Sequence, residues 1–225
     1  MDAERALQAE IATCRQCASA LAVVGPQPIR QFNASARVLI IGQAPAARVQ
    51  LNAIPWLDPA GDTLRAWTRL SVKEFYDPLK VALMPMSFCA EDHDGGGRAG
   101  SGTQLECGPL WQSRLLRQLP ADLLILLVGS WAQDHYLPQP AARSRTENVR
   151  AFRSFGPSLF PLPHPSWSHV GWERRNPWFA RDVLPALAKA VRARVPVERK
   201  ERAPAPSSLP EPLPEPPSLD AGTEL

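Results

Sequence analysis

Four short apolar runs constrain this chain more than any other feature of its sequence. Each is bounded by residues typical of turns, and they span 38–41, 81–85, 123–128 and 159–162. The runs are unbroken rather than alternating, which indicates strands that are covered on both faces of a parallel sheet. Helical patterns lie between and around them, at 2–12, 62–70, 109–119, 131–137 and 175–195. This alternation predicts an α/β fold, a three-layer α/β/α sandwich with a four-stranded parallel sheet.

The last 30 residues, 196–225, differ in composition from the rest of the chain. Eight of them are proline and none is aromatic. Such a segment buries too little apolar surface to offset the entropy lost on ordering. We therefore predict one folded domain over 1–195 and a disordered proline-rich tail over 196–225. The chain carries +3 and the tail −3, so the domain carries +6, a charge that suits a phosphate-bearing partner.

Two classes of protein are disfavoured by the sequence. No apolar run is long enough to span a bilayer. The amino terminus lacks the basic region and apolar stretch of a secretory signal. We therefore expect a cytoplasmic protein that does not bind membranes. In that compartment, four cysteines are more typical of thiols or metal ligands than of disulfides.

Two loops that follow predicted strands carry the clearest chemical signals, because ligands of open parallel sheets bind beyond the carboxyl ends of the strands. The first contains Gly42, Gln43, Ala44 and Pro45, whose shape leaves backbone N–H groups open to an oxyanion or a ring carbonyl. In the second, His164 lies between two prolines that hold its backbone and aim its ring. Its imidazole can donate a hydrogen bond to a leaving group that gains negative charge. A tight turn and a histidine that bridges loop carbonyls are the simpler interpretations.

In combination, these loops resemble the two signature motifs of the uracil-DNA glycosylase superfamily. Gly42-Gln43-Ala44-Pro45 resembles the first motif and His164-Pro165-Ser166 the second. The iron–sulfur branch, family 4, and its uncharacterised bacterial relatives are the most similar, over residues 14–195. The resemblance implies a monofunctional DNA glycosylase of base-excision repair, acting as a monomer on DNA. Such an enzyme flips a damaged base, most often uracil, and hydrolyses its N-glycosidic bond.

The four cysteines of the chain, Cys14, Cys17, Cys89 and Cys107, form a candidate metal site. In the iron–sulfur branch a CxxC pair and two later cysteines hold a [4Fe–4S] cluster, so the resemblance implies this cofactor, in a structural role. Four thiolates suit zinc as well, and spacing does not separate the two metals. A redox-active CxxC pair with two unrelated cysteines is the third interpretation.

The resemblance also implies roles for residues around the first loop. Trp56 occupies the place of an aromatic that stacks on the flipped base, although a core tryptophan is the simpler interpretation. Asp62 is the nearest carboxylate, and it can activate water or serve as an ordinary acid at a helix amino terminus. Gln43 stands where active members carry Asp, Asn or Glu; its amide can orient water but cannot accept a proton. Pro85 stands where the family has an asparagine that reads uracil.

The segment that follows His164 mixes aromatic and basic residues. In the family this region wedges into the duplex and contacts phosphates. The resemblance therefore implies that Ser166 and Trp167 lie near the base, and that Arg174 and Arg175 contact the DNA backbone. A helix amino terminus with a solvated basic patch is the alternative interpretation.

Two other functions stay open at the level of the sequence. Gln43 and Pro85 each replace a group on which better-known members rely, which favours a non-catalytic nucleic-acid-binding member of the same fold. A nucleoside hydrolase-like enzyme that acts on free nucleosides is a further possibility. The segment 167–176 argues against it, because a small substrate needs no duplex wedge.

Overall fold

The computed structural model of the chain describes residues 2–18, 25–45, 49, 52–90, 107–138, 144–166 and 169–197. Residues 198–225, which make up most of the predicted tail, lie outside the described residues. The assignment of a disordered tail therefore stays a prediction.

The four predicted strands form one sheet in which every pairing is parallel. In chain order the strands are β1 (Val38–Ile41), β2 (Val81–Leu83), β3 (Leu124–Val128) and β4 (Leu159–Leu162). Their spatial order is β2-β1-β3-β4, so β1 and β3 occupy the centre of the sheet. The predicted four-stranded parallel sheet is confirmed.

Helices connect the strands and cover both faces of the sheet. The α-helices are α1 (Asp2–Ala12), α2 (Pro59–Thr68), α3 (Val72–Phe75), α4 (Ser113–Leu116), α5 (Ser130–Tyr136), α6 (Arg145–Arg150), α7 (His169–Arg175) and α8 (Leu184–Arg194). Short helices of other types span Gly108–Gln112, Phe152–Phe155 and Phe179–Val183. Among the described helices, none is both long and apolar enough to cross a membrane.

Two hydrophobic cores, one on each face, explain why the strands are apolar throughout. In β1, Val38 and Ile40 belong to the core that includes residues of α2, α3, α6 and α8. Leu39 and Ile41 belong to the core that includes residues of α1, α4 and α5. Successive side chains of a strand point to opposite faces, so both faces need apolar residues. The result is the predicted three-layer sandwich.

The predicted helix boundaries needed correction at the carboxyl end of the chain. The pattern over 175–195 predicts one helix, but α7 ends at Arg175 and a second helical stretch begins after Pro177. It is a π-helix over Phe179–Val183 and continues directly into α8. Pro177 lies at the break, where it supplies no N–H for a continuous helix. The side-chain amide of Asn176 donates to the carbonyl of Trp172 at 2.8 Å, which ends α7.

Two short helices, α3 and α6, escaped the sequence analysis because they are too short to show periodicity. Each begins with a capping box, formed by Ser71 with Glu74 and by Ser144 with Glu147. In this motif the serine hydroxyl and the glutamate carboxylate satisfy backbone N–H groups of the first turn. The Ser-x-x-Glu spacing was therefore the sequence feature that could have predicted where both helices begin.

An ion pair joins α3 to α8 on the outside of the first core. Arg192 donates to the Glu74 carboxylate from Nη1 at 2.5 Å and from Nη2 at 3.2 Å. It also donates to the carbonyl of Arg69. The hydrogen bond from Arg192 is the main cause that lowers the pKa of Glu74 from 4.5 to about 2. The pair therefore stabilises the fold only while Glu74 is ionised.

We predict that Glu74→Gln lowers the free energy of unfolding by roughly 1–3 kcal/mol at neutral pH. The folded-state pKa of Glu74 lies below its unfolded value. The stabilisation should therefore be complete above about pH 4.5 and disappear as the pH falls towards 2. Denaturant titrations of wild type and variant across this range measure the difference. Glu10→Gln, which removes a surface pair with Arg114, is the control; equal responses of both variants would contradict the assignment.

Candidate functional site

A cavity of about 480 Å³ lies at the edge of the sheet where the strands end. The loops after β1, β2 and β4 contribute to its wall, together with the first turn of α2. Its lining includes Gly42, Gln43, Ala44, Pro45, Pro55, Trp56, Asp58, Thr63, Pro85, His164, Ser166 and His169. Open parallel sheets bind their ligands at this edge. The cavity brings the two loops selected from the sequence into one site.

The first loop is anchored to the segment that follows β2. The N–H of Met86 donates to the carbonyl of Gly42 at 2.8 Å, and the N–H of Ser87 donates to that of Gln43 at 3.3 Å. These bonds continue the parallel pairing of β1 and β2 beyond the last residues of both strands. The Gln43 side chain is half-buried and lines the cavity.

Trp56 is held in the wall of the cavity by its backbone and by two glycines. Its φ is 60°, a left-handed conformation that is rare for a large side chain. Its carbonyl accepts from the Tyr76 hydroxyl at 3.0 Å and from Arg65 at 3.4 Å. A Cβ at Gly42 would lie 2.4 Å from the indole, and a Cβ at Gly61 would lie 1.8 Å from the Trp56 carbonyl oxygen. The indole of Trp56 therefore requires glycine at position 42, and its backbone carbonyl requires glycine at position 61.

His164 faces Trp56, with 6.0 Å between the ring centroids and 36° between the ring planes. The carbonyl of Leu162, two residues earlier, accepts from the N–H of Gly129 at 3.0 Å and from Nε2 of Gln133 at 2.8 Å. Burial lowers the pKa of His164, and the charge of Asp58 opposes that effect only in part. His164 is therefore neutral at neutral pH, so the site contains an imidazole rather than an imidazolium.

The carboxylate in the wall of the cavity is Asp58, and not the predicted Asp62. Asp58 is the N-cap of α2, where its Oδ1 accepts from the N–H of Gly61 at 2.9 Å. The Asp62 side chain is 74% exposed and pairs with Arg65. The sequence signal for Asp58 was the Asp-Pro step, because Asp is a strong N-cap and Pro favours the first turn of a helix.

The remaining predicted residues divide between the cavity and the surface. Ser166 lines the cavity, and so does His169, which the sequence analysis did not select. Arg174 and Arg175 are exposed at the end of α7, away from the lining. Trp167 lies outside the described residues.

Pro85, which replaces the asparagine that the sequence resemblance implies, lines the cavity. Its carbonyl accepts from Nε2 of Gln112 at 2.8 Å, and the Tyr136 hydroxyl donates to Oε1 of Gln112 at 2.5 Å. Burial raises the pKa of Tyr136 to about 12, so its hydroxyl remains a donor. This buried network holds the Pro85 wall in position.

The four cysteines divide between two clusters: Cys107 belongs to the second core, with Cys14 packed against it, and Cys17 and Cys89 form a separate pair. Cys17, Cys89 and Cys107 are buried and Cys14 is half-buried, and none is in a disulfide. Cys17 packs against Cys89, while burial, together with the charges of Cys107 and Cys14, raises the pKa of Cys89 to about 11. Among the described residues, no three acidic, histidine or cysteine side chains lie close enough to hold a metal ion.

We predict that Gly42→Ala destabilises the fold by roughly 1–3 kcal/mol, because its Cβ would overlap the Trp56 indole. The displaced indole should also change the near-ultraviolet circular dichroism. Gly171→Ala is the matched control, since the nearest atom to its Cβ is Nη1 of Arg175 at 3.7 Å. Thermal unfolding of both variants tests the prediction, which a wild-type melting temperature for Gly42→Ala would contradict.

The amino-acid sequence also matches the model of one known protein family. Residues 29–188 match the Uracil DNA glycosylase superfamily, and the match includes both loops, Trp56 and the whole sheet. Membership implies glycosylase-type activity on DNA bases. The match covers well over half of the sequence, and the chain therefore belongs to the Uracil DNA glycosylase superfamily.

Proposed function

We propose that the chain is a monofunctional DNA glycosylase that flips a damaged base, with uracil as the first candidate, and hydrolyses its N-glycosidic bond. The observation that carries the proposal is the pairing of Trp56 and His164 in one cavity, with ring centroids 6.0 Å apart. The cavity volume of about 480 Å³ falls in the range of small-ligand pockets. A base flipped out of a DNA strand is a ligand of this size.

Trp56 is the proposed stacking surface for the flipped base. An indole offers a large apolar face, and every base offers a π-face that stacks on it. The fixed backbone of Trp56, with its carbonyl bound by Tyr76, means that little entropy is lost when a base stacks. The indole therefore already occupies its stacking position before a base binds.

His164 is the proposed stabiliser of the leaving base. When the N-glycosidic bond breaks, its electron pair goes to the base, which becomes an anion. A neutral imidazole N–H donates a hydrogen bond to that anion without itself carrying a charge that would have to be buried. A donor held in place before reaction stabilises the developing charge efficiently, because no reorganisation is needed.

Asp58 is the proposed counterpart on the sugar side of the bond. The sugar gains positive charge as the base departs, and a carboxylate in the cavity wall stabilises it. Gln43, which lines the same cavity, is suited to orient the water that attacks the sugar, because its amide has both donors and an acceptor. We assign no catalytic role to Asp62, since it is exposed and paired with Arg65.

The four cysteines are the proposed ligands of a [4Fe–4S] cluster, with zinc as the alternative. The support is that Cys17 packs against Cys89 and that the charges of Cys107 and Cys14 act on the Cys89 thiol. In the described residues no three of these thiols are close enough to hold one ion, so metal binding requires them to move closer together. A bound metal would connect the end of α1, the segment after β2 and the segment before α4. Its role would be structural, and it would take part in no step of the reaction. None of the four cysteines is in the lining of the base cavity.

A non-catalytic nucleic-acid-binding protein is the second candidate function. Pro85 favours it, because a proline in the cavity wall offers no side-chain amide to read a base edge. The two candidates differ in whether the bound base is released.

The decisive experiment is incubation of the purified protein with oligonucleotides that carry uracil, hypoxanthine or xanthine, followed by detection of abasic sites. We expect release of at least one of these bases. Binding of the same oligonucleotides without release of any base would favour the second candidate.

Substitutions in the cavity should separate chemistry from binding. We predict that His164→Ala lowers the single-turnover excision rate by about 10²–10³-fold with little change in DNA affinity. Asp58→Asn should also lower the rate while leaving the fold intact, because Asn caps a helix as well as Asp. Asp62→Asn is the matched control and should be nearly silent. A silent Asp58→Asn beside an inactive Asp62→Asn would reverse the assignment.

The metal proposal makes a prediction that does not involve excision. Protein purified without oxygen should be brown and contain about four iron and four sulfide per chain. Replacement of any of Cys14, Cys17, Cys89 or Cys107 by Ala should remove the colour and lower the thermal stability. A colourless protein with one zinc per chain would contradict the iron–sulfur assignment and leave the fold unaffected.

A further inference from the structure

A basic surface lies where α6 and the short helices Phe152–Phe155 and Phe179–Val183 meet, and none of its residues lines the cavity. We define it by Arg150, Arg153 and Arg181, with the single carboxylate Asp182 among them. All three arginines are exposed. The hydrogen bond from Arg181 is the main cause that lowers the pKa of Asp182. The charges of Arg153 and Arg150 contribute as well, which indicates that these groups lie within electrostatic range of Asp182.

Two of these guanidinium groups stack on aromatic rings. Arg150 lies 5.7 Å from the centroid of the Trp178 ring, and Arg153 lies 4.4 Å from that of Phe152. Stacking restricts a side chain that would otherwise be mobile, and it leaves the edge of the guanidinium fork directed to solvent or a ligand. A planar fork that is already oriented suits a phosphate, which it can bind with two hydrogen bonds.

Asp182 and Glu147, the carboxylates on the same elements as these arginines, already have partners. Arg181 binds Asp182 through Nε at 3.0 Å and through Nη2 at 2.8 Å. Glu147 accepts from the backbone N–H of Ser144 at 2.6 Å. Within the described residues, neither Arg150 nor Arg153 forms an ion pair with a carboxylate, whereas Arg37, Arg65, Arg114, Arg145, Arg181 and Arg192 do. In the part of the chain that the structure describes, Arg150 and Arg153 therefore keep their guanidinium groups free of direct carboxylate contacts.

Helix α7 connects the cavity to the basic surface. It begins at His169, which lines the cavity, and ends at the exposed Arg175. Its Trp172 donates from Nε1 to the Thr146 hydroxyl of α6 at 3.0 Å and packs edge-on against Trp178 at 5.7 Å. Seven helical residues span about 10 Å, close to the rise of three nucleotides of B-form DNA.

We propose that Arg150 and Arg153 bind phosphates of the DNA strand, about three or more nucleotides from the flipped base, and so extend the DNA footprint past α7. The inference rests on the proposed function for its choice of DNA as partner. Arg174 and Arg175, in the last turn of α7, are two further exposed cations. The surface contributes affinity without reading sequence, since phosphate contacts carry no base information.

The test compares DNA binding by the double variant Arg150→Gln/Arg153→Gln with wild type, by fluorescence anisotropy. For an oligonucleotide of about 20 nucleotides, affinity should fall about tenfold. The slope of log K against log salt, measured between about 50 and 200 mM, should decrease by about one to two. An oligonucleotide of about four nucleotides around the lesion reaches only about 7 Å to either side. Its affinity should therefore be unchanged.

Two further variants of the chain are controls, one for the loss of an arginine elsewhere on the surface and one for the loss of positive charge at positions 150 and 153. Arg117→Gln removes an exposed arginine that follows α4, on the opposite face of the sheet, and should bind both oligonucleotides as wild type does. Arg150→Lys/Arg153→Lys keeps the charge and should retain most of the salt dependence.

The possible outcomes are distinct. Equal affinity and equal salt dependence of the Gln double variant and wild type would overturn the proposal. Equal weakening for both oligonucleotide lengths, with a lower melting temperature, would overturn it as well and indicate a structural role. Excision plays no part in this measurement. A protein that releases no base can still show the binding loss, and an active glycosylase can fail to show it.

Discussion

Burial of the sheet on both faces is the constraint on which the rest of the structure depends. Val38 and Ile40 of β1 face one core while Leu39 and Ile41 face the other, so helices must cover both sides. Parallel strands need long crossover connections, and those crossovers supply the helices. As a result, all four strands end at one edge of the sheet. The loops after β1, β2 and β4 meet there and form the cavity.

The shape of the cavity depends on backbone geometry as much as on side-chain chemistry. Trp56 can present its indole only because Gly42 and Gly61 leave room for its ring and its carbonyl. Its left-handed backbone is held by bonds from Tyr76 and Arg65, both from the helical layer that covers this face. Packing of Trp56 against the first core offsets the free energy that this left-handed conformation costs. The aromatic surface is therefore fixed before any ligand binds.

Charge is distributed differently in the cavity and on the surface. In the cavity, burial keeps His164 neutral and the lining contains one carboxylate, Asp58. On the surface beyond α7, arginines are stacked on aromatic rings and exposed. A neutral donor suits an anion that forms during a reaction, whereas fixed cations suit a partner that is charged throughout. The two regions therefore fit a base and a phosphate backbone, respectively.

The sequence by itself determined the fold class, the strands and the two loops of the site, because unbroken apolar runs and Gly- or Pro-framed motifs are local signals. The proline frame selected His164 for the same reason, whereas Trp56 and the role of Gln43 came from the resemblance to the family. Only the packed fold places Asp58, and not Asp62, in the cavity wall, because this depends on where α2 begins and which carboxylate its first turn directs inward. It alone also brought Arg150 to Trp178, because contacts between residues distant in sequence form only when the helical layer packs.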